Sequence, residues 1–387
     1  MSNSRRTAAF IVARWLLTRE FPASMLPSGD ERAFVQDLVY TVIRRLRPLR
    51  FVLGELLPRW PKGELEALVY VGGAQILYMD DVPDFAAVNE TVDAAKLSRI
   101  PSVSRVVNGV LRNLIRRRAE FTALLAAAPV EVRESFPTEL VRRWTARFGA
   151  EAAARLCAWH NRSAVTYVAR RPPPGGESVF EPLARGVRVP EVPGYAAGEF
   201  IVQDPATALA VRALAPQPSE RILDACAAPG GKCVQIAWRG AAVTACEVNP
   251  ARRRRLEENL GRLRLAVRVV GAAEELGAER FDKVLVDAPC SNTGVLRRRV
   301  DARWNWSVKK LDELVALQAE ILARYAAFVA PGGLLVYSTC SNEREENSLQ
   351  VERFLADHPD FTLLGSEESL PFETDTDGAF VARLRRR

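Results

Sequence analysis

Histidine is almost absent from these 387 residues, with only His160 and His358. Acid and base chemistry therefore falls to carboxylates, thiols and lysine. Lysine is scarce too, supplying six of the 54 basic residues. The six cysteines, at 157, 226, 233, 246, 290 and 340, form no CxxC pair. Two histidines do not complete a zinc set around them, so neither a metal site nor a disulfide framework is expected. No uncharged apolar run approaches the length that crosses a bilayer. At the N-terminus Arg14 interrupts the apolar segment that starts at Ala8 before it reaches the length of a signal core, so a cytoplasmic location is expected.

The composition that remains, 48% hydrophobic and 26% charged, is that of a globular chain, and its length exceeds what one core organises. A formal charge of +7 and an isoelectric point near 9.3 favour a polyanionic partner. From Arg5 to about Arg118 apolar residues recur at helical spacing, as in Glu31–Ile43 and Glu64–Tyr70, so residues 1–120 read as an all-α domain. Through Arg118 there are 18 basic and 12 acidic residues, nearly the whole positive excess. That charge suits RNA docking and equally suits the solvated face of a helical bundle. Residues 121–200 read as a small α+β connector, with a strand at Ala164–Ala169 and a loop at Arg170–Gly176.

Residues 201–387 alternate apolar strands with amphipathic helices. Strands are expected at 221–225, 243–246, 267–270, 283–287 and 334–337, and helices at 250–262 and 308–328. This pattern predicts an α/β, mostly parallel sheet with helices on both faces and a ligand site at the carboxyl ends of its strands. The first strand ends in Asp224-Ala-Cys-Ala-Ala-Pro-Gly-Gly-Lys232. Gly230 and Gly231 let backbone approach a ligand, and free N–H groups of the following helix suit an anionic group. Neither GxGxxG nor GxxxxGK[ST] is present, which disfavours dinucleotides and nucleoside triphosphates. Glu247, ending the second strand, is placed to accept hydrogen bonds from two ribose hydroxyls.

Two later strands end in cysteines, at Asp287-Ala-Pro-Cys290-Ser and Ser338-Thr-Cys340-Ser. Cys157, Cys233 and Cys246 read as buried packing. Two thiols just past the ends of neighbouring strands point instead to nucleophilic chemistry. The C-terminal stretch reads as a strand followed by a basic tail, with Arg385 to Arg387 available to phosphate.

These motifs, in this order and spacing, resemble the signatures of the Sun family of RNA 5-methylcytosine methyltransferases. Arg32–Tyr40, Val88–Lys96 and Val107–Asn113 are similar to the NusB-like RNA-binding domain. The resemblance implies a Rossmann-like class I methyltransferase domain, S-adenosyl-L-methionine as cofactor, and RNA, specifically small-subunit (16S) rRNA, as partner. It also implies that Cys226, Ala227, Ala228, Pro229, Gly230, Gly231 and Lys232 wrap the cofactor, that Glu247 holds its ribose, and that Asp287 lies between the cofactor and the base.

Cytosine C5 is a poor nucleophile, and adding a thiolate to C6 makes the ring an enamine-like one. The base must leave its stack to be reached. Residue chemistry alone leaves open which thiol attacks, because DNA cytosine methyltransferases use a Pro-Cys cysteine. The family assigns Cys340 as nucleophile and Cys290 to product release. Two positions depart from the family pattern. Ala272 stands where an acid usually contacts the adenine, and Val300 stands where proline is common. Arg297 to Arg299 beside Val300 suit phosphate contact. A transfer RNA or other rRNA target, and a non-catalytic RNA-binding or assembly protein with a decayed pocket, remain the alternatives. A protein methyltransferase would have no use for paired strand-end cysteines.

Overall fold

The computed structural model describes residues 3–98, 102–173, 176–184 and 186–387. Met1 and Ser2 of the N-terminal segment, and Pro174 and Gly175 of the expected loop, lie outside the described residues. The chain divides into two compact units, residues 1–162 with 296–305, and residues 163–295 with 306–387. The stretch read as a connector is thus shared, its helical part going to the first unit and its strands to the second.

The first unit is helical. Ser4–Thr18, Arg32–Arg44, Leu46–Gly54, Glu64–Tyr78, Asp84–Lys96, Ser102–Arg116 and Arg118–Ala127 carry the expected periodicity. Ile11, Trp15, Leu38, Leu49, Val71 and Leu111 meet in one core. Val130–Arg133, Thr138–Phe148 and Ala150–His160 follow. Leu140, Val141 and Trp144, then Ala153, Leu156 and Cys157, bury one stripe of each longer helix.

Residues 296–305 complete this unit. Val300 is buried in the helical core, and the Trp304 Nε1–H donates to the Ile43 carbonyl at 2.8 Å. Arg303 is fully buried. Its guanidinium donates to Ser135 O at 3.2 Å, Asn161 Oδ1 at 2.9 Å and His160 O at 3.4 Å, and lies 4.0 Å from the centre of the Phe136 ring. Arg297 is buried over Trp159 at 4.1 Å, and Arg299 lies over Phe21 at 4.8 Å. The expected phosphate contact is therefore corrected for Arg297, which is spent on packing inside the protein.

The second unit opens with strands β1 (Tyr167–Arg170), β2 (Phe180–Pro182) and β3 (Phe200–Val202), paired antiparallel in the order β2-β1-β3. A seven-stranded sheet follows. It contains β4 (Arg221–Asp224), β5 (Ala242–Cys246), β6 (Arg268–Val270), β7 (Phe281–Asp287), β8 (Val329–Thr339), β9 (Phe361–Ser369) and β10 (Ala379–Arg386), in the order β6-β5-β4-β7-β8-β10-β9. The five expected strands are β4 to β8, parallel to one another, while β10 pairs antiparallel with β8 and with β9. Helices Ala208–Leu214, Gly231–Trp238 and Pro250–Arg262 pack on one face. Val308–Ala326 and Ser348–Asp357 pack on the other. The strand order reverses between β4 and β7, so their carboxyl ends flank the crevice such sheets use for ligands.

The basic tail is corrected as well. Arg385 and Arg386 belong to β10, and Arg386 pairs with Asp360 at 3.1 Å and donates to Val329 O at 2.8 Å. The Arg387 Nε–H donates to Thr362 Oγ1 at 3.1 Å. Arg386 and Arg387 thus brace the sheet edge. No helix among the described residues is long and apolar enough to cross a membrane.

Candidate active site

At the end of β4 the chain turns through Cys226–Gly230 into the helix Gly231–Trp238. The Ala227 N–H donates to Cys246 O at 3.0 Å, which ties the turn to β5. Gly230 has φ of +109°, and a Cβ there would lie 2.8 Å from Leu256 Cδ1. A Cβ on Gly231 would lie 2.9 Å from Gln203 Nε2. Asp224 sits beneath this cradle, buried, with no side-chain donor on either carboxylate oxygen. Burial first, and then Asp287, push its pKa up to about 7, against Lys232 and the Cys226 N–H. Burial, reinforced by Asp224, also raises the Cys226 thiol. Glu247 is buried past β5, with Oε1 accepting from the Asn249 N–H at 2.9 Å and Oε2 3.6 Å from Arg252 Nε.

Beside the turn, the Lys232 Nζ donates to Asp287 Oδ2 at 2.5 Å, and Ser338 Oγ donates to Asp287 Oδ1 at 2.6 Å. Burial disfavours the charge on Lys232, yet Asp287, with Cys340 and Asp224, holds its pKa above the ordinary value. Cys290 and Cys340, after β7 and β8, bring their sulfurs to 3.3 Å. The Cys340 thiol donates to Asn292 Oδ1 at 3.4 Å, and the Asn292 Nδ2 donates to Cys290 O at 2.8 Å. With the Cys340 proton so directed, the Cys290 S–H points at the Cys340 sulfur. That hydrogen bond and then burial hold the Cys290 thiol well above its usual pKa.

The loops carrying the thiols interlock. The Gly294 N–H donates to Cys340 O at 2.9 Å, and the Asn342 N–H to Thr293 Oγ1 at 2.9 Å. A Cβ on Gly294 would lie 2.8 Å from the carbonyl oxygens of both Cys340 and Gly378, so only glycine fits there. Cys157, Cys233 and Cys246 are buried in packing, Cys246 with its sulfur 3.2 Å from Tyr325 Oη.

Residues 211–385 match the family described as 16S rRNA methyltransferase RsmB/F, and residues 2–116 match the NusB family. The chain is 35% identical to ribosomal RNA small subunit methyltransferase B of Klebsiella pneumoniae (strain 342), over 100% of this chain and 98% of the relative. The chain belongs to the RsmB/F family of rRNA methyltransferases. Among solved structures, PH0851 shares the fold with a TM-score of 0.79 at 21% identity, over 99% of this chain and 98% of that one. NSun6 from Pyrococcus horikoshii, solved with SFG, matches with a TM-score of 0.57 at 20% identity over 65% of this chain and 99% of that one.

As an RsmB/F methyltransferase the protein uses S-adenosylmethionine and acts on RNA. Gly230 and Gly231 let the turn close against Leu256 and Gln203, and buried Asp224, with no side-chain donor on either oxygen, fits the cofactor's ammonium. The sequence marks Asp224 only as the start of the turn motif, because its burial without a side-chain donor is visible only in the structure. Its state sets a pH dependence. The carboxyl is ionised above about 7, so cofactor affinity by calorimetry is expected to fall about tenfold between pH 8 and pH 6. Asp224→Asn is expected to flatten that slope at the lower affinity. In the free protein the sign is opposite. The buried carboxyl keeps a proton that an unfolded chain releases near pH 4, so its contribution to stability declines as pH rises to about 7.

Val300 fills the helical core. Ala272 precedes the short helix Ala273–Leu276. There Glu275 Oε1 accepts from the Gly271 N–H at 2.9 Å and the Arg253 guanidinium lies against Gly271.

Proposed function

We propose that this protein methylates C5 of a cytosine in 16S rRNA, in the cytoplasm, with Cys340 adding covalently to C6. The observation that carries this reading is the pair of sulfurs 3.3 Å apart past neighbouring parallel strands, next to the Lys232–Asp287 pair. One thiol of such a pair acts as nucleophile while the other holds a proton. The 16S assignment is supported by the name of the curated relative, which matches end to end.

The Cys340 thiolate forms a bond from sulfur to C6, and the displaced electron pair makes C5 nucleophilic. Asp287 accepts hydrogen bonds from the amino group and from an N3–H whose proton solvent water supplies during addition and takes back on elimination, offsetting the charge that addition builds there. S-adenosylmethionine, held by Cys226 to Lys232 and Glu247, supplies an electrophilic methyl group. Afterwards the C5 proton passes to solvent water and the sulfur–C6 bond breaks, returning its pair to Cys340. The Cys290 S–H then hydrogen-bonds the departing thiolate. A thiol whose pKa is raised suits that role, because it keeps its proton through the cycle.

The test is transfer from labelled S-adenosylmethionine to unmodified 16S rRNA, with a transfer RNA pool beside it and the product mapped by bisulfite sequencing. One modified cytosine in 16S rRNA is the expected result. Modification of transfer RNA alone would move the substrate assignment, and no transfer with no cofactor binding would leave a non-catalytic RNA-binding protein.

A further inference from the structure

Glu346 lies beneath the two cysteine loops, fully buried, and outside every motif that marked the site. Oε1 accepts from the Ser291 N–H at 2.8 Å and from Gln318 Nε2 at 2.9 Å. Oε2 accepts from Ser291 Oγ at 2.5 Å and from Ser341 Oγ. Ser291 follows Cys290 and Ser341 follows Cys340, so a single carboxylate holds the residue after each thiol. Gln318 also donates to Pro289 O at 2.8 Å, the residue before Cys290.

Four donors satisfy a buried carboxylate that would otherwise be costly, and an apolar side chain would serve packing alone more cheaply. The charge also bears on the Cys290 thiol. After the Cys340 hydrogen bond, burial and the Cys340 charge, Glu346 adds to what opposes ionisation of Cys290. Asp287 faces the site from β7 and Tyr337 from β8.

We propose that Glu346 is a positioning residue for methyl transfer, clamping the two cysteine loops through Ser291 and Ser341 so that the Cys290 S–H stays aimed at the Cys340 sulfur. This inference rests on the cysteine chemistry proposed above and names what holds the two thiols together.

The experiment uses the full chain as wild type, Glu346→Gln and Glu346→Asp. Iodoacetamide alkylation of each thiol is followed against pH by mass spectrometry, with kcat and the cofactor KM measured alongside. In the wild type Cys290 is expected to react only at a pH above the ordinary thiol range. Glu346→Gln is expected to lower the pH at which Cys290 reacts. It is also expected to reduce kcat about 100-fold with the cofactor KM nearly unchanged. Glu346→Asp keeps the charge, so Cys290 should react as in the wild type although kcat falls. An unmoved Cys290 profile in Glu346→Gln overturns the proposal, as does a parallel loss of cofactor binding. Should that variant fail to fold, a wild type whose Cys290 reacts within the ordinary thiol range overturns it as well. Failure of the cysteine chemistry itself is read separately, as methyl transfer that survives Cys340→Ala.

Discussion

Cys340→Ala is expected to abolish methyl transfer, by about 10⁴-fold or more, while cofactor affinity stays within twofold of wild type. Cys290→Ala is expected to do something different, accumulating a protein–RNA adduct that survives a denaturing gel. Both outcomes come from one geometry. The Cys340 sulfur has Asn292 on one side at 3.4 Å and the Cys290 sulfur on the other at 3.3 Å. Without Cys340 no group at that point can add to C6. Without Cys290 the addition still proceeds, but the leaving thiolate loses the donor that stabilises it and the adduct persists. Equal loss of activity in both variants, with no adduct in either, would overturn the division of roles. Adduct in Cys340→Ala would reverse it.

Arg303→Ala is expected to cost the helical unit about 3–5 kcal/mol, read as a lowered urea midpoint of its helical signal. Its guanidinium is surrounded by the carbonyls of Ser135 and His160, the amide oxygen of Asn161 and the Phe136 ring. Truncation leaves those acceptors unpaired in a buried site and opens a cavity. Arg303→Met, which refills most of the volume without restoring a donor, should recover only part of the loss. An unchanged midpoint in Arg303→Ala would show that water enters and satisfies the acceptors.

What the sequence made legible is what repeats or what sits at a strand end. The helical stripes of residues 5–118 and the alternation from Arg221 onward follow directly from burial on one face or two. The thiols stood out because Pro-Cys and Thr-Cys follow apolar runs. Three features stayed hidden for physical reasons. Strand β9, Phe361–Ser369, mixes exposed leucines with acids, and only its pairing to β10 makes it a strand. Glu346 lies in the polar run Asn342–Asn347, where a buried carboxylate is indistinguishable from a solvated one until its four donors are seen. Arg297 looked like a phosphate ligand because arginine in a loop usually is solvated, and nothing in the sequence marked Arg303 at all, yet the helical unit supplies both with aromatic or carbonyl partners far away in sequence.

That borrowed segment also bears on how the protein is made. The helical unit begins at the N-terminus, yet Val300 and Arg303, which it buries, are translated only after β4 to β7 of the other unit. Domains usually fold in the order they leave the ribosome. Here the last segment is made after β7, and the Ser135, His160 and Asn161 acceptors gain Arg303 only then. A nascent chain arrested before Leu296 is therefore an unfinished helical unit, whatever its length.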